Sequence, residues 1–404
     1  MSRTSACVGR FGALLVLAAM VPSGRVLGQC AGTWVPGGLP TLTDMNVKAL
    51  AVFPRETGFG LIVAGGSNAP SLVRVLDGDS WAPLGGGVTW TGGSGTVYAV
   101  TVLADGSVVI GGSGFTAGGF TGQSVLRWDG SAWVPMGGGL GASTVRCLLP
   151  EPDGGVVAGG DVLSRWDPAA NQWSALGNGP CAGTIHAITR RSNGDIVAAG
   201  NTNICEWNGS SWTELGAADG QVSALVALPN GDIVAGGSFM TVNGVHSARV
   251  ARTNGSAWFA MPFTPEVFFP TVYALAVAQN GDVIAGGLGG NLVRWNGSAW
   301  TVVGPPNAAT WVEALAVVGS SGLVAGGDGF PPMRQQHIGR FAFPTADFDQ
   351  DGDSGTDLDI EAFFNCLAGR CCSTCGSMDF DGDRSVGTDA DIEGFFRVLA
   401  GASC

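Results

Sequence analysis

Two tyrosines and three histidines in 404 residues limit the chemistry this chain can perform. His186, His246 and His337 stand at no metal-ligand spacing, which argues against a catalytic zinc. Tyr98 and Tyr273 leave tyrosine-based radical chemistry little to draw on. Charge is also scarce: Asp, Glu, Lys and Arg make up 13% of the residues, and 32 acidic side chains face 19 basic ones. No basic stripe exists to neutralise phosphates, so nucleic acid is not expected as a partner. Beyond the N-terminal leader no run reaches the roughly 18 apolar residues a membrane helix needs, so no transmembrane segment is expected there. No catalytic constellation emerges from the motifs.

The leader itself reads as a secretory signal over residues 1–28. Arg3 and Arg10 precede the apolar run from Phe11 to Val21, and Val26-Leu27-Gly28 supplies a small residue for cleavage before Gln29. The expected destination is secreted, periplasmic or cell-surface. A lipid-anchored Cys30 is the weaker reading, because Gln29 occupies the place where Gly, Ala or Ser is needed.

Glycine is abundant, at 68 residues, and it recurs at fixed places. Seven similar segments open on Val47, Val97, Val145, Ile185, Val222, Val272 and Val312. Their spacing runs from 37 residues (Ile185 to Val222) to 50 (Val47 to Val97), the range of four-stranded propeller blades. Each segment is followed by a turn and an apolar strand that ends in two small residues. These are Gly65-Gly66, Gly111-Gly112, Gly159-Gly160, Ala199-Gly200, Gly236-Gly237, Gly286-Gly287 and Gly326-Gly327. Paired tryptophans follow, as in Trp128 and Trp133 or Trp295 and Trp300, with Leu76 and Thr253 standing in for the first of the pair before Trp81 and Trp258. The seventh unit lacks a fourth strand, and Thr33-Trp34-Val35-Pro36 resembles one. The expected fold is therefore all-β: a seven-bladed β-propeller over residues 29–344, closed noncovalently by its N-terminal strand.

The small-residue pair and the outer tryptophan resemble the kelch type of propeller repeat over about three quarters of the chain. In such a ring the loops joining second to third strands open on the face where the inner strands begin. Here Ser113 to Ser124, Ser238 to Ser247 and Asp328 to His337 are long, whereas the opposite face carries uniform turns at Asn208-Gly209, Asn254-Gly255 and Asn296-Gly297. Those Asn-Gly-Ser triplets read as hairpin turns rather than as glycosylation sites. The second residue of each inner strand is the least uniform: Lys48, Tyr98, Arg146, His186, Ser223, Tyr273 and Glu313. This ring at the channel mouth is either ligand-contacting or merely solvated. A carboxylate pair for glycoside cleavage would have to come from Asp161, Glu313 or Asp328.

After Pro344 the composition changes, and residues 345–404 carry 13 acidic groups against three arginines. Asp347, Asp349, Asp351 and Asp353, closed by Asp359, precede a helix-spaced Ile360, Phe363, Phe364 and Leu367. Asp379, Asp381, Asp383 and Ser385, closed by Asp391, precede Ile392, Phe395, Phe396 and Leu399 in the same way. Oxygen ligands at alternate loop positions suit Ca²⁺, one ion for each half. This tandem resembles a dockerin module of EF-hand-type calcium loops, which implies calcium-dependent attachment to a cohesin-like or envelope protein. Asp359 and Asp391 sit one residue later than that pattern has them, and Arg384 replaces the glycine seen at Gly352, so the second loop is read as weaker or differently closed. Cys366, Cys371, Cys372, Cys375 and Cys404 are expected to form disulfides in the tail, their odd number pointing to a link outside it, with Cys30 as a candidate, while Cys147 is expected as a buried free thiol. A zinc half-site at Cys372 and Cys375 is the weaker alternative.

Together these features describe an exported, non-catalytic propeller that binds a glycan or protein ligand and is tethered by its tail. A carbohydrate-active enzyme on the same tail and a structural envelope component are the competing classes.

Overall fold

The computed structural model describes residues 33–34, 39–55, 59–66, 71–90, 95–177, 183–263, 270–278, 281–289, 292–303, 311–318, 322–330, 336–342, 357–368 and 388–399. Within them the chain forms a seven-bladed β-propeller of antiparallel four-stranded sheets, the second of which gains a fifth strand at Thr89–Trp90. Blade 6 is representative, with strands Val272–Val277, Val283–Gly287, Leu292–Trp295 and Trp300–Val303 in spatial order. In the last blade, Thr33 and Trp34 lie opposite Ala342 and Phe341 as its outermost strand. Second strands such as Val283–Gly287 are buried throughout, since both of their faces meet a neighbouring blade. Such strands read as continuous apolar runs in place of alternating ones.

One irregularity recurs in all seven blades. The ladder between first and second strands shifts register between Val47 and Ala49, Val97 and Ala99, Val145 and Cys147, Ile185 and Ala187, Val222 and Ala224, Val272 and Ala274, and Val312 and Ala314. A bulge leaves one residue unpaired and re-aims its side chain. It also presses a carbonyl against the opposite strand: a Cβ added at Gly112, Gly160, Gly237 or Gly287 would lie about 2 Å from the oxygen of Thr96, Thr144, Gln221 or Thr271. Only glycine fits there. The ladder also corrects the alignment of the first repeat. Ala64 faces Ala49 and Gly65 faces Val47, so blade 1 carries Ala64-Gly65 where the sequence pattern suggested Gly65-Gly66.

The preceding small residue has a different task. A Cβ on Gly111, Gly286 or Gly326 would come within 2.4, 2.5 or 2.4 Å of Cγ1 of Val145, Val312 or Val47 in the next blade. The last of these contacts spans the junction between the seventh and first blades. Further out, the indole N–H of each outer tryptophan donates to a carbonyl of the preceding blade's end. The bonds run from Trp133 to Gly85 (3.1 Å), Trp173 to Met136 (2.9 Å), Trp258 to Leu215 (2.9 Å) and Trp300 to Met261 (3.0 Å). Trp81 reaches Pro40 in the same way at 3.0 Å. Each bond adds about 1 kcal/mol net to the burial of a large ring.

Two of the three expected long loops are hairpins instead, and the third, Asp328 to His337, includes residues 331–335, which lie outside the described residues. Strands Val108–Ala117 and Phe120–Trp128 extend through residues 113–124, turning at Gly118 and Gly119, and Thr241–Val242 pairs with Val245–His246. In the tail, α1 (Asp357–Leu367) and α2 (Asp389–Leu399) share a small core. Phe363 and Phe395 are buried and stacked with centroids 3.8 Å apart, while Phe364 and Phe396 stay exposed. Cys147 is a free thiol whose sulfur packs beside Gly159, and burial pushes its pKa up to about 12 even though the residue keeps some exposed surface.

If the bulge demands glycine, Gly287→Ala should cost about 1–3 kcal/mol in urea denaturation through forced overpacking. Gly138→Ala, with nothing within 4 Å of the added carbon, should change the midpoint little. Equal midpoints for the two variants would contradict the bulge account.

Candidate functional site

The residue released by each bulge is the variable second residue of the inner strand. All seven of these, Lys48, Tyr98, Arg146, His186, Ser223, Tyr273 and Glu313, line one cavity of about 150 Å³ together with Gln221. The chain's single lysine and both of its tyrosines are therefore in one place. Gln221 had no repeat signature to mark it. It stands two residues before Ser223, whose short side chain leaves room, and its amide donates to the Ser223 hydroxyl at 3.0 Å. The equivalent residues elsewhere include Thr96, Thr144, Thr184 and Thr271, which are too short to reach as far.

Most of these side chains engage a neighbour. Lys48 Nζ donates to both oxygens of Glu313, at 2.5 and 2.6 Å, which links the first and seventh blades. The Arg146 guanidinium lies over the Tyr98 ring at 5.3 Å, within cation–π range. His186 Nε2 lies 3.1 Å from Asn201 Oδ1. Burial, aided by the charge of Arg146 and opposed by the Asn201 bond, holds the imidazole below the ordinary histidine pKa. At neutral pH it is a hydrogen-bonding group and not a cation.

The three carboxylates considered for glycoside cleavage each have other engagements. Glu313 is held by Lys48, Asp161 Oδ2 accepts the Thr144 N–H at 2.9 Å, and Asp328 pairs with His337 at 3.1 Å. On the opposite face, third-strand arginines take up turn carboxylates: Arg127 pairs with Asp105 at 2.6 Å, and Arg294 pairs with Asp282. The asparagines of the outer hairpins are also occupied. Oδ1 of Asn208, Asn254 and Asn296 accepts two backbone N–H groups each, the Asx arrangement of a tight turn.

Of the residues expected to bind calcium, Asp347, Asp349, Asp351, Asp353, Asp379, Asp381, Asp383 and Ser385 lie outside the described residues. Asp359 is fully buried in the first turn of α1, and Asp391 falls at the matching place in α2. Among the described residues no group of three potential metal ligands occurs, and no helix is long and apolar enough to cross a membrane.

No family model matches the chain, and no curated protein matches it in sequence. Solved structures do. YCF48 bound to D1 peptide is similar over 75% of this chain and 94% of its own, with TM-score 0.51 and 16% identity. The WD40 β-propeller domain of Doa1 is similar over 78% of this chain and 96% of its own, with TM-score 0.51 and 13% identity. At these identities the likeness establishes a fold, the seven-bladed β-propeller with WD40-like neighbours.

His186 yields a signed pH prediction. Its pKa is depressed in the folded chain, so the unfolded chain binds the proton first. Its stabilising contribution is complete above the unfolded value of 6.5 and is lost as pH falls through the window below it. Melting temperature should thus fall more steeply for wild type than for His186→Gln on moving from neutral pH to pH about 5. Parallel curves would contradict this.

Proposed function

We propose that the chain is an exported, non-catalytic propeller that binds a partner polypeptide at its channel mouth and is tethered by a calcium-dependent tail. The observation behind this reading is the concentration of the chain's rarest chemistry in one cavity. A lysine, two tyrosines, an arginine, a histidine, a serine and a glutamate occupy the seven bulged positions. Rigid rings with variable mouths are where binding resides. The cavity is smaller than the roughly 300–1,000 Å³ of small-molecule sites. It suits one group of a larger ligand lying across the surrounding hairpins. One neighbouring propeller, YCF48, is itself bound to a peptide.

Export fits the leader and the disulfides that engage Cys205 and Cys366. In this reading the blades are kelch-like, and Thr33–Trp34 is the strand that latches the ring. The tail is dockerin-like. A buried Asp359 carboxylate and stacked phenylalanines related by the repeat suit paired loop-helix units, and an all-oxygen donor set suits Ca²⁺. The attachment partner would be a cohesin-like or envelope protein.

A random peptide library displayed against the full chain should yield mouth-dependent binders. Lys48→Ala/Tyr98→Ala/Tyr273→Ala should weaken them by about tenfold or more, as loss of aromatic hot-spot residues does. Asn208→Asp on the opposite face should leave them unchanged. Binders indifferent to the triple substitution would refute the mouth reading. For the tail, calorimetry of the full chain should show calcium binding that Asp359→Asn weakens, and no heat on adding calcium would refute the tether.

A further inference from the structure

We propose that the mouth recognises a carboxylate of its partner polypeptide and that Arg146 is the residue that reads it. This rests on the partner-binding reading above and adds the charge and chemical class of the group bound. Two of the three charges in the cavity cancel, since Lys48 and Glu313 hold one another through paired short bonds. Arg146 is left over. Among the described residues it forms no salt bridge, in contrast to Arg74, Arg127, Arg165, Arg190 and Arg294. Its Nε is buried without a hydrogen-bond partner among the described residues. Burying an unpaired donor is unfavourable.

The surroundings favour an anion at that donor edge. The guanidinium lies over the Tyr98 ring, and its planar fork suits a two-point contact with a carboxylate. On the next blade His186 stays neutral and offers a hydrogen bond without a second charge. Gln221 and Ser223 add neutral polar groups across the cavity. Among the described residues the mouth therefore carries one positive charge without an ion-pair partner. An acidic group is attracted at that one point, which favours a carboxylate over its amide. The small volume of the cavity admits a carboxylate with a short stem, from an Asp or Glu side chain or from a chain terminus.

The test uses an array of short immobilised peptides in matched sets: Glu against Gln, Asp against Asn, and free against amidated C-termini. The full wild-type chain is compared with Arg146→Gln, Arg146→Lys and Glu313→Gln, each checked by its melting curve. Wild type should lose about tenfold or more in affinity when the critical carboxylate becomes an amide, and Arg146→Gln should lose as much. Arg146→Lys should fall between, keeping the charge without the fork. Glu313→Gln should tighten binding severalfold, because it removes a competing carboxylate and frees Lys48; a merely structural role for this cluster predicts no gain. The free-terminus and side-chain sets show which source supplies the group. Peptides bound equally well as acids and amides, or equally well by folded Arg146→Gln, would overturn this inference and leave the partner reading standing. The absence of any bound peptide would overturn both. If Arg146→Gln fails to fold, the Lys and Glu313→Gln arms decide.

Discussion

A single backbone clash governs how this ring is built. At the start of each inner strand the bulge pushes a carbonyl to about 2 Å from where the opposite residue would place a Cβ, so that residue has to be glycine. The same bulge removes the next side chain from the ladder and from the blade-to-blade packing. Scaffold and site are two results of one distortion. The glycine is fixed because the carbonyl is there, and the bulged residue is free to vary because the lattice of contacts does not include it. Polar residues as different as Lys48, Tyr98 and Glu313 can therefore occupy equivalent positions without disturbing the fold.

Around this constraint the blades are joined by two repeating contacts. Near the axis a Gly or Ala of one blade receives the Val or Ile of the next, and at the rim an indole N–H reaches the preceding blade's end. Both contacts continue into the junction of the seventh and first blades, through Gly326 against Val47 and Trp81 bonded to Pro40. The ion pair of Lys48 and Glu313 crosses the same junction at the mouth. Its partners are partly exposed, so it contributes little to stability. Its larger consequence is electrostatic, because it neutralises two charges of the cavity and leaves Arg146 without an ion-pair partner among the described residues.

The ring was legible in the sequence because a propeller repeats its scaffold, and residues that repeat separate from those that do not. The inner-strand openings, the tryptophan pairs and the seven variable positions could all be read that way. Gln221 could not, since its reach depends on the short Ser223 beside it and on no repeated pattern. The sequence pattern of blade 1 reads one residue out of register because Gly66 extends the glycine run and blurs which glycine faces the bulge. The long connections read as loops in the sequence because their glycines mark turns but do not say how far the strands run before turning. Residues 113–124 form ladder on both sides of Gly118. In the tail, the helical spacing of Phe363 and Phe395 gave two helices with one shared core, whereas the acidic loops before them lie outside the described residues.

Because Lys48 is the chain's single lysine, the mouth carries its own probe. Acylation of that amine, followed by mass spectrometry of the modified peptide, reports access to the cavity without interference from other lysines. With a peptide selected on the full chain present at saturation, the account predicts that Lys48 is protected. An unchanged acylation rate at saturation would place binding elsewhere and contradict the claim that the bulged residues form the binding site.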